Sequence, residues 1–239
     1  MGRAFEFRRA RKEKRWDKMA KTFSKYGKEI ALAVKQGGPE VETNPRLRVV
    51  IQNAKSENMP KDKIEAAIKR ASSKDEKDYE EVVYEGYGPH GIAFVIETAT
   101  DNPTRTVASI RLYFDKAGGS LGKTGSLEFL FERKGIFRLN AGNLNLEDLE
   151  LELIDFGAEE INQDGDIIYI ETSFTDFGTM QKALEDKKLD VISSELQRIP
   201  NTLVEVSEAQ AEEINNLIDK FEEDDDVQAV YTNMQPLDI

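Results

Sequence analysis

Three parts of the 239-residue sequence hold residues that could do chemistry, and the first is rich in glycine. Residues 117–124 read Ala-Gly-Gly-Ser-Leu-Gly-Lys-Thr, which is close to a phosphate-binding P-loop with alanine in place of its first glycine. A P-loop passes from a strand into a helix, so that backbone N–H groups at the helix start face the phosphates. Here the pattern predicts a helix before the segment and a strand after it. We therefore interpret it as a helix end followed by a flexible connection, with glycines supplying positive φ angles.

The second part is the set of groups from which a catalytic or metal site would be built. His90 is the only histidine and lies in a turn-forming string, Gly-Pro-His-Gly, at residues 88–91. The chain has no cysteine, which excludes thiolate nucleophiles and cysteine-held metals. Carboxylates are plentiful, notably at 224–226 and 147–159, but nothing in their spacing marks one pair as acid and base. We predict no catalytic residue, no metal site, no cofactor and no enzyme activity.

The third part is a concentration of positive charge near the N-terminus. Residues 1–74 hold 20 Lys and Arg against 9 Asp and Glu, a net charge of +11, whereas residues 75–239 carry −24 within a total of −13. Phosphate binding needs cations concentrated on one surface, so this asymmetry indicates a nucleic-acid-binding arm on an acidic body. We predict that phosphates are neutralised by Arg8, Arg9, Arg11, Lys12, Lys14, Arg15, Lys18, Lys21 and Lys25.

Helical periodicity in the first third of the chain predicts the scaffold of this arm. Apolar residues recur at three- and four-residue steps from Trp16 to a stop at Gly-Gly-Pro, residues 37–39. Asn44 is a plausible cap for a second helix, with proline in its first position, and a third helix follows residues 59–60. The polar face of this third helix carries Lys61, Lys63, Lys69 and Arg70. Residues 1–78 are therefore predicted to form a basic helical bundle.

Beyond residue 78 the pattern changes to alternating strands and helices. Strands are predicted at 81–84, 92–98, 126–131, 135–139, 157–161, 166–171, 190–199 and 227–231, with helices at 103–116, 146–156, 176–187 and 208–222. Residues 134–200 then have the β-α-β-β-α-β order of a ferredoxin-like unit, inserted in a domain of 79–133 plus 201–239. A rival parsing makes 166–232 a unit of its own, and periodicity does not choose between them. The predicted fold class is α+β, with three domains: an N-terminal helical bundle followed by two α/β-sandwich (ferredoxin-like) domains.

Several long strings in the sequence resemble the YebC/PmpR family. The most specific are Tyr-Glu-Gly-Tyr-Gly-Pro-His-Gly-Ile-Ala-Phe at 84–94, Thr-Asp-Asn-Pro-Thr-Arg-Thr-Val-Ala at 100–108 and Gly-Gly-Ser-Leu-Gly-Lys-Thr-Gly-Ser at 118–126, with shorter ones at 44–48, 58–60 and 225–233. The resemblance covers nearly the whole chain and implies a cytoplasmic, three-domain DNA-binding transcriptional regulator. Some relatives are linked instead to translation on the ribosome. The family usually opens with His-Ser-Lys-Trp-x-Asn-Ile, which is absent from residues 3–10 here, so its contribution is not carried over.

These observations favour a non-catalytic cytoplasmic regulator that binds duplex DNA through its bundle and does not use a membrane, since no stretch approaches roughly 18 uninterrupted apolar residues. A translation factor that docks on ribosomal RNA is the alternative, and Phe5 and Phe7 favour it slightly because proteins read RNA largely through stacked single strands. A third possibility is an adaptor that acts through the ferredoxin-like surfaces. The sequence indicates neither the target site nor the oligomeric state.

Overall fold

The structure is a computed structural model that describes residues 19–73 and 78–236. Its α-helices are α1 (Met19–Gly37), α2 (Pro45–Ser56), α3 (Lys61–Ala71), α4 (Pro103–Lys116), α5 (Leu146–Leu153), α6 (Phe177–Asp186) and α7 (Glu208–Glu223). Its strands are β1 (Glu80–Tyr87), β2 (Ala93–Thr100), β3 (Ser120–Leu121), β4 (Phe131–Asn140), β5 (Ala158–Asp164), β6 (Ile167–Ser173), β7 (Val191–Pro200) and β8 (Val227–Thr232). None of these helices combines the length and apolar character that crossing a bilayer requires.

Helices α1, α2 and α3 form a bundle around an aliphatic core that includes Ile30, Leu47 and Ile64. Asn44 caps α2 as predicted, because its side-chain oxygen accepts a hydrogen bond from the Leu47 N–H at 3.0 Å. The same side chain donates to the Ala33 carbonyl at 2.8 Å, which ties the start of α2 to the end of α1. One buried amide therefore fixes the turn between the first two helices.

The first sheet has the strand order β3-β1-β2-β8, and every neighbouring pair is antiparallel. Alternate residues of a strand point to opposite faces, so Phe94 and Ile96 pack with α4 and α7, while Ala93 and Val95 pack with Leu127 on the other side. Strand β8, near the C-terminal end of the chain, completes this sheet beside β2. The helices thus lie on one face and leave the other for contacts with the rest of the protein.

The predicted strand at 126–131 is wrong. Residues 128–130 form a short 3-10 turn, and Phe131 already begins β4 of the second sheet. The third strand of the first sheet is instead the two-residue β3. The physical cause is a side chain, because the Glu85 carboxylate accepts the N–H groups of Gly125 and Leu127 and so removes them from any ladder.

The second sheet has the order β5-β6-β4-β7, again antiparallel, with the chain order β-α-β-β-α-β. Helices α5 and α6 pack on it over a core that includes Phe137, Leu139 and Ile170. Two four-stranded antiparallel sheets with helices confirm the α+β class. The limits drawn at 78, 133 and 200 between three domains stay a prediction.

The bundle covers β7, an edge strand of the second sheet, through polar side chains of α2. The Asn53 amide donates to the Ser194 carbonyl at 2.7 Å and accepts the Ser194 N–H at 2.9 Å, so it acts as a short piece of neighbouring strand. Arg198 on β7 also pairs with Glu97 on β2 at 2.9 Å, which joins the two sheets. The backbone N–H and C=O of Ser194 on this open edge are thereby satisfied, and the bundle has a defined position against both sheets.

Candidate nucleic-acid interface

Helix α1 is held against the first sheet by a buried lysine. The Lys28 ammonium lies 2.8 Å from Asp226 Oδ1 and donates to the Asp225 carbonyl at 2.7 Å. The side chains of Lys28 and Asp226 are only 11% and 7% exposed. Lys28 also stands over the ring of Tyr79, 5.5 Å from its centre, which adds a cation–π contact. Lys28 is therefore a docking residue of α1.

Asp226 is the centre of this contact. Its second oxygen, Oδ2, accepts hydrogen bonds from Arg105 at 2.7 Å, Thr106 at 2.8 Å and Thr100 at 3.2 Å. Burial alone raises the pKa of the Asp226 carboxyl, but the hydrogen bonds from Lys28, Arg105 and Thr106 outweigh it, so this pKa lies below its ordinary value. The Asp226 carboxylate thus joins two of the segments that resemble the YebC/PmpR family, residues 100–108 and 225–233.

The predicted phosphate-binding residues divide into two groups. Seven of them lie outside the residues that the structure describes: Arg8, Arg9, Arg11, Lys12, Lys14, Arg15 and Lys18. The other two lie on α1, where Lys21 donates to the Glu223 carbonyl at 2.8 Å and Lys25 lies near Glu29. The α1 face with Lys21 and Lys28 therefore contacts the acidic loop at 223–226. The assignment of Lys21 and Lys25 to phosphate stays a prediction.

A second group of cations stands on α3, on the surface of the bundle. Lys63, Lys69 and Arg70 are exposed, and within 19–73 and 78–236 none of them forms an ion pair. Lys63 and Arg70 are seven residues apart, close to two helical turns, and so share one face. Lys61 on the same helix lies 3.6 Å from Glu65 and is partly neutralised. These cations are available to a polyanion without rearrangement of the bundle.

Glu29 lies at the junction of the bundle with both sheets. The pKa of its carboxyl is raised to about 7, mainly by burial and also by the nearby carboxylates Glu195 on β7 and Glu81 on β1. Arg46 and Lys25 act in the opposite direction but do not compensate. A carboxyl group in this position gains or loses its proton near neutral pH.

We expect the docking of the bundle to depend on pH through Glu29. Below about pH 4.5 the group is protonated in the folded and unfolded chains alike, and between 4.5 and 7 only the folded chain keeps the proton. The free energy of unfolding should therefore fall as the pH rises through this window, by no more than about 3 kcal/mol. Urea unfolding at pH 5 and 8 should show that Glu29→Gln abolishes this difference. The exposed control Glu42→Gln should keep it, and an unchanged pH dependence in Glu29→Gln would contradict the assignment.

The amides of the P-loop-like segment and of the residues just after it bond within the protein: the Gly119 N–H, for example, bonds to the Phe114 carbonyl at 2.9 Å. Glu85 is buried on β1, and its two oxygens accept the N–H groups of Gly125 at 2.9 Å and Leu127 at 2.6 Å. The backbone N–H of Gly122 bonds to the Glu85 carbonyl at 2.7 Å. Amides that would cradle a phosphate are thus already satisfied, which agrees with the interpretation of this segment as a connection and not a nucleotide site.

His90 has a structural partner. Its Nε2 lies 2.8 Å from Glu213 on α7, and its backbone has a positive φ of 60° in the turn before β2. The contact ties that turn to α7. Over 19–73 and 78–236, no group of three or more His, Asp or Glu side chains is placed to hold a metal ion.

Two sequence-family models match the chain. The model described as "TACO1/YebC second and third domain" matches residues 79–234, and the one described as "TACO1/YebC protein N-terminal domain" matches residues 3–74. The two matches leave only residues 75–78 between them. Both parts of the chain therefore resemble the same group of proteins.

Close relatives match over almost their full length. A protein of Cytophaga hutchinsonii named "Probable transcriptional regulatory protein" is 63% identical over 98% of each chain. A protein of Parabacteroides distasonis with the same name is 59% identical over 98% of this chain and 97% of its own. Among solved structures, that of a conserved hypothetical protein from Aquifex aeolicus superposes with a TM-score of 0.78, at 37% identity over 92% of each chain.

Proposed function

The chain belongs to the TACO1/YebC family, and from this premise we propose that it is a DNA-binding transcriptional regulator that holds duplex DNA on its basic helical bundle. The names of its relatives support regulation of transcription. The protein acts in the cytoplasm, by binding and not by catalysis. We assign the bundle and each of the two sheets, with the apolar clusters packed on them, to three separate domains.

The observation that carries this proposal is the free positive charge of the bundle. Lys63, Lys69 and Arg70 are exposed on α3 without an ion-pair partner in the described part of the chain. The basic segment before α1 adds six cations between residues 8 and 15. The remainder of the protein is acidic, so it repels a polyanion and confines binding to one side. Cations of this kind contact phosphates and give affinity without sequence specificity.

The salt dependence of DNA binding tests the proposal. If about six phosphate contacts form, the logarithm of the affinity for duplex DNA should fall against the logarithm of the salt concentration with a slope of roughly −5. The triple variant Lys63→Glu, Lys69→Glu, Arg70→Glu should bind the duplex far more weakly. Its slope should be less steep by about three, because three phosphate contacts are gone. Fluorescence anisotropy with a labelled duplex measures both quantities.

A matched control separates local contacts from total charge. Lys116, Lys182 and Lys188 are exposed and lie outside the bundle, so their triple replacement by glutamate makes the same change in net charge. This control should keep the wild-type slope. Equal losses in the two triple variants, or no binding of wild type in dilute buffer, would overturn the proposal. Cosedimentation with ribosomes at moderate salt tests the alternative of a translation factor.

A further inference from the structure

Helix α5 and the 3-10 turn after it expose two aliphatic side chains on one face. Leu151 is 74% exposed and Ile154 is 61% exposed. They are three residues apart, a spacing that makes side chains neighbours on a helix. Leu149 and Leu153 on the same segment are buried in the core of the second sheet. The helix is therefore anchored by one side and presents an apolar pair on another.

Carboxylates surround this pair. Those at three- or four-residue spacing from Leu151 or Ile154 are Glu147, Asp148, Glu150 and Asp155. All of them are exposed, and within the described ranges none of them forms an ion pair, whereas their neighbour Glu152 pairs with Lys187 at 2.5 Å. Residues 146–156 contain no cation. The apolar pair thus lies inside a ring of negative charge that the protein leaves uncompensated.

The surface is held rigidly at both ends. Asn145 caps α5, since its side-chain oxygen accepts the Glu147 N–H at 2.9 Å. Gly157 ends the 3-10 turn with a φ of 89°, and a Cβ there would lie 2.6 Å from the side chain of Asp176. A surface that is already ordered loses little conformational entropy when a partner binds.

We infer that this surface, the acid-ringed pair formed by Leu151, Ile154 and the four carboxylates, docks a cationic segment of another protein. The four carboxylates favour a partner with positive charge. The two exposed aliphatic side chains favour a partner with at least one large apolar side chain, which would pack between Leu151 and Ile154. Nucleic acid and anionic headgroups carry the wrong charge for it. A basic amphipathic segment supplies both features and matches the common mode in which a helix docks its apolar face. This surface is distinct from the bundle and goes beyond the proposed DNA binding.

Two synthetic peptides test the inference on the full chain. Both are about 15 residues long with the same lysines at helical spacing, and one has a leucine stripe where the other has glutamine. The leucine peptide should bind wild type at least about ten-fold more tightly than the glutamine peptide at physiological salt, because it buries the exposed pair. The double variant Leu151→Ser, Ile154→Ser should lose this preference. The control Leu112→Ser, at a leucine 48% exposed on α4, should keep it.

A second variant tests the contribution of the carboxylates separately from that of the apolar pair. Glu147→Gln with Glu150→Gln should weaken the binding of both peptides and reduce its salt dependence, while the leucine preference remains. Equal affinity of the two peptides for wild type overturns the inference, as does a preference that persists in the Leu151→Ser, Ile154→Ser variant. Analytical sedimentation tests whether a second copy of the chain binds this surface instead. If wild type is a dimer and the Leu151→Ser, Ile154→Ser variant is a monomer, the surface binds a second copy, and the inference of a different protein partner is wrong. DNA affinity should not change in any of these variants, so the two proposals fail separately.

Discussion

Replacing Asp226 with alanine is expected to destabilise the protein by about 3–5 kcal/mol, because it leaves the Lys28 ammonium buried without its counterion. Hydrogen bonds from Arg105, Thr106 and Thr100 to the same carboxylate are lost together with the ion pair. Helix α1 should then detach from the first sheet. Urea unfolding measures the loss, and hydrogen exchange of the α1 amides locates it.

The neighbouring Asp225 is the matched control. It has the same charge and an exposed side chain, so Asp225→Ala should change stability by less than about 0.5 kcal/mol. The double variant Lys28→Met, Asp226→Leu removes both charges and should recover much of the stability lost in Asp226→Ala, because an apolar pair leaves no charge unpaired. Similar losses in Asp226→Ala and Asp225→Ala would show that the buried pair does not hold α1.

Local pattern was enough to predict most helices and most strands. The end of α1 at Gly37 and the capping of α2 by Asn44 depend on a few adjacent residues, and such signals can be read directly from sequence. The helix predicted at 103–116 has the same limits in the structure. Periodicity reports which face of an element is apolar, and in these elements that face is indeed buried.

The contacts that orient the bundle could not be predicted in this way. Lys28 and Asp226 are 198 residues apart, and in the sequence each looks like one more member of a charged run. Glu29 is equally inconspicuous, since its raised pKa comes from burial at a junction of three packed units. Charge counts place cations in a segment, but only tertiary packing decides whether a given lysine faces a phosphate or a carboxylate of the protein itself.

Glu85 shows the same limit within one domain. In the segment 126–131, predicted as a strand, Leu127 and Phe131 are buried, but Phe129 between them is 70% exposed. A buried carboxylate on β1 takes the N–H groups that a strand would have used. N–H groups just after the P-loop-like segment do bind an anion, but that anion is the carboxylate of Glu85 and not a nucleotide.

Removing the Glu85 carboxylate should lower the stability of the protein, by less only than the loss of Asp226. Glu85→Ala leaves the N–H group of Leu127 buried without an acceptor, at about 1–3 kcal/mol, and takes the acceptor from the N–H group of exposed Gly125. Glu85→Gln is not a conservative change, because one end of an amide is a donor and faces a second donor here. We expect it to recover only part of the loss. Exposed Glu128 in the same loop is the control, and Glu128→Ala should leave stability nearly unchanged.

Acetate offers a chemical test of why Glu85→Ala is unstable. If the carboxylate itself organises the loop, truncation opens a cavity lined by two N–H donors, and a small carboxylate from solution can enter it. Acetate should therefore raise the melting temperature of Glu85→Ala more than an equal concentration of chloride, and it should have no such effect on wild type or Glu128→Ala. Hydrogen exchange at Gly125 and Leu127 should slow in parallel. Equal effects of acetate and chloride on Glu85→Ala would mean that packing of the side chain, and not its charge, holds the loop.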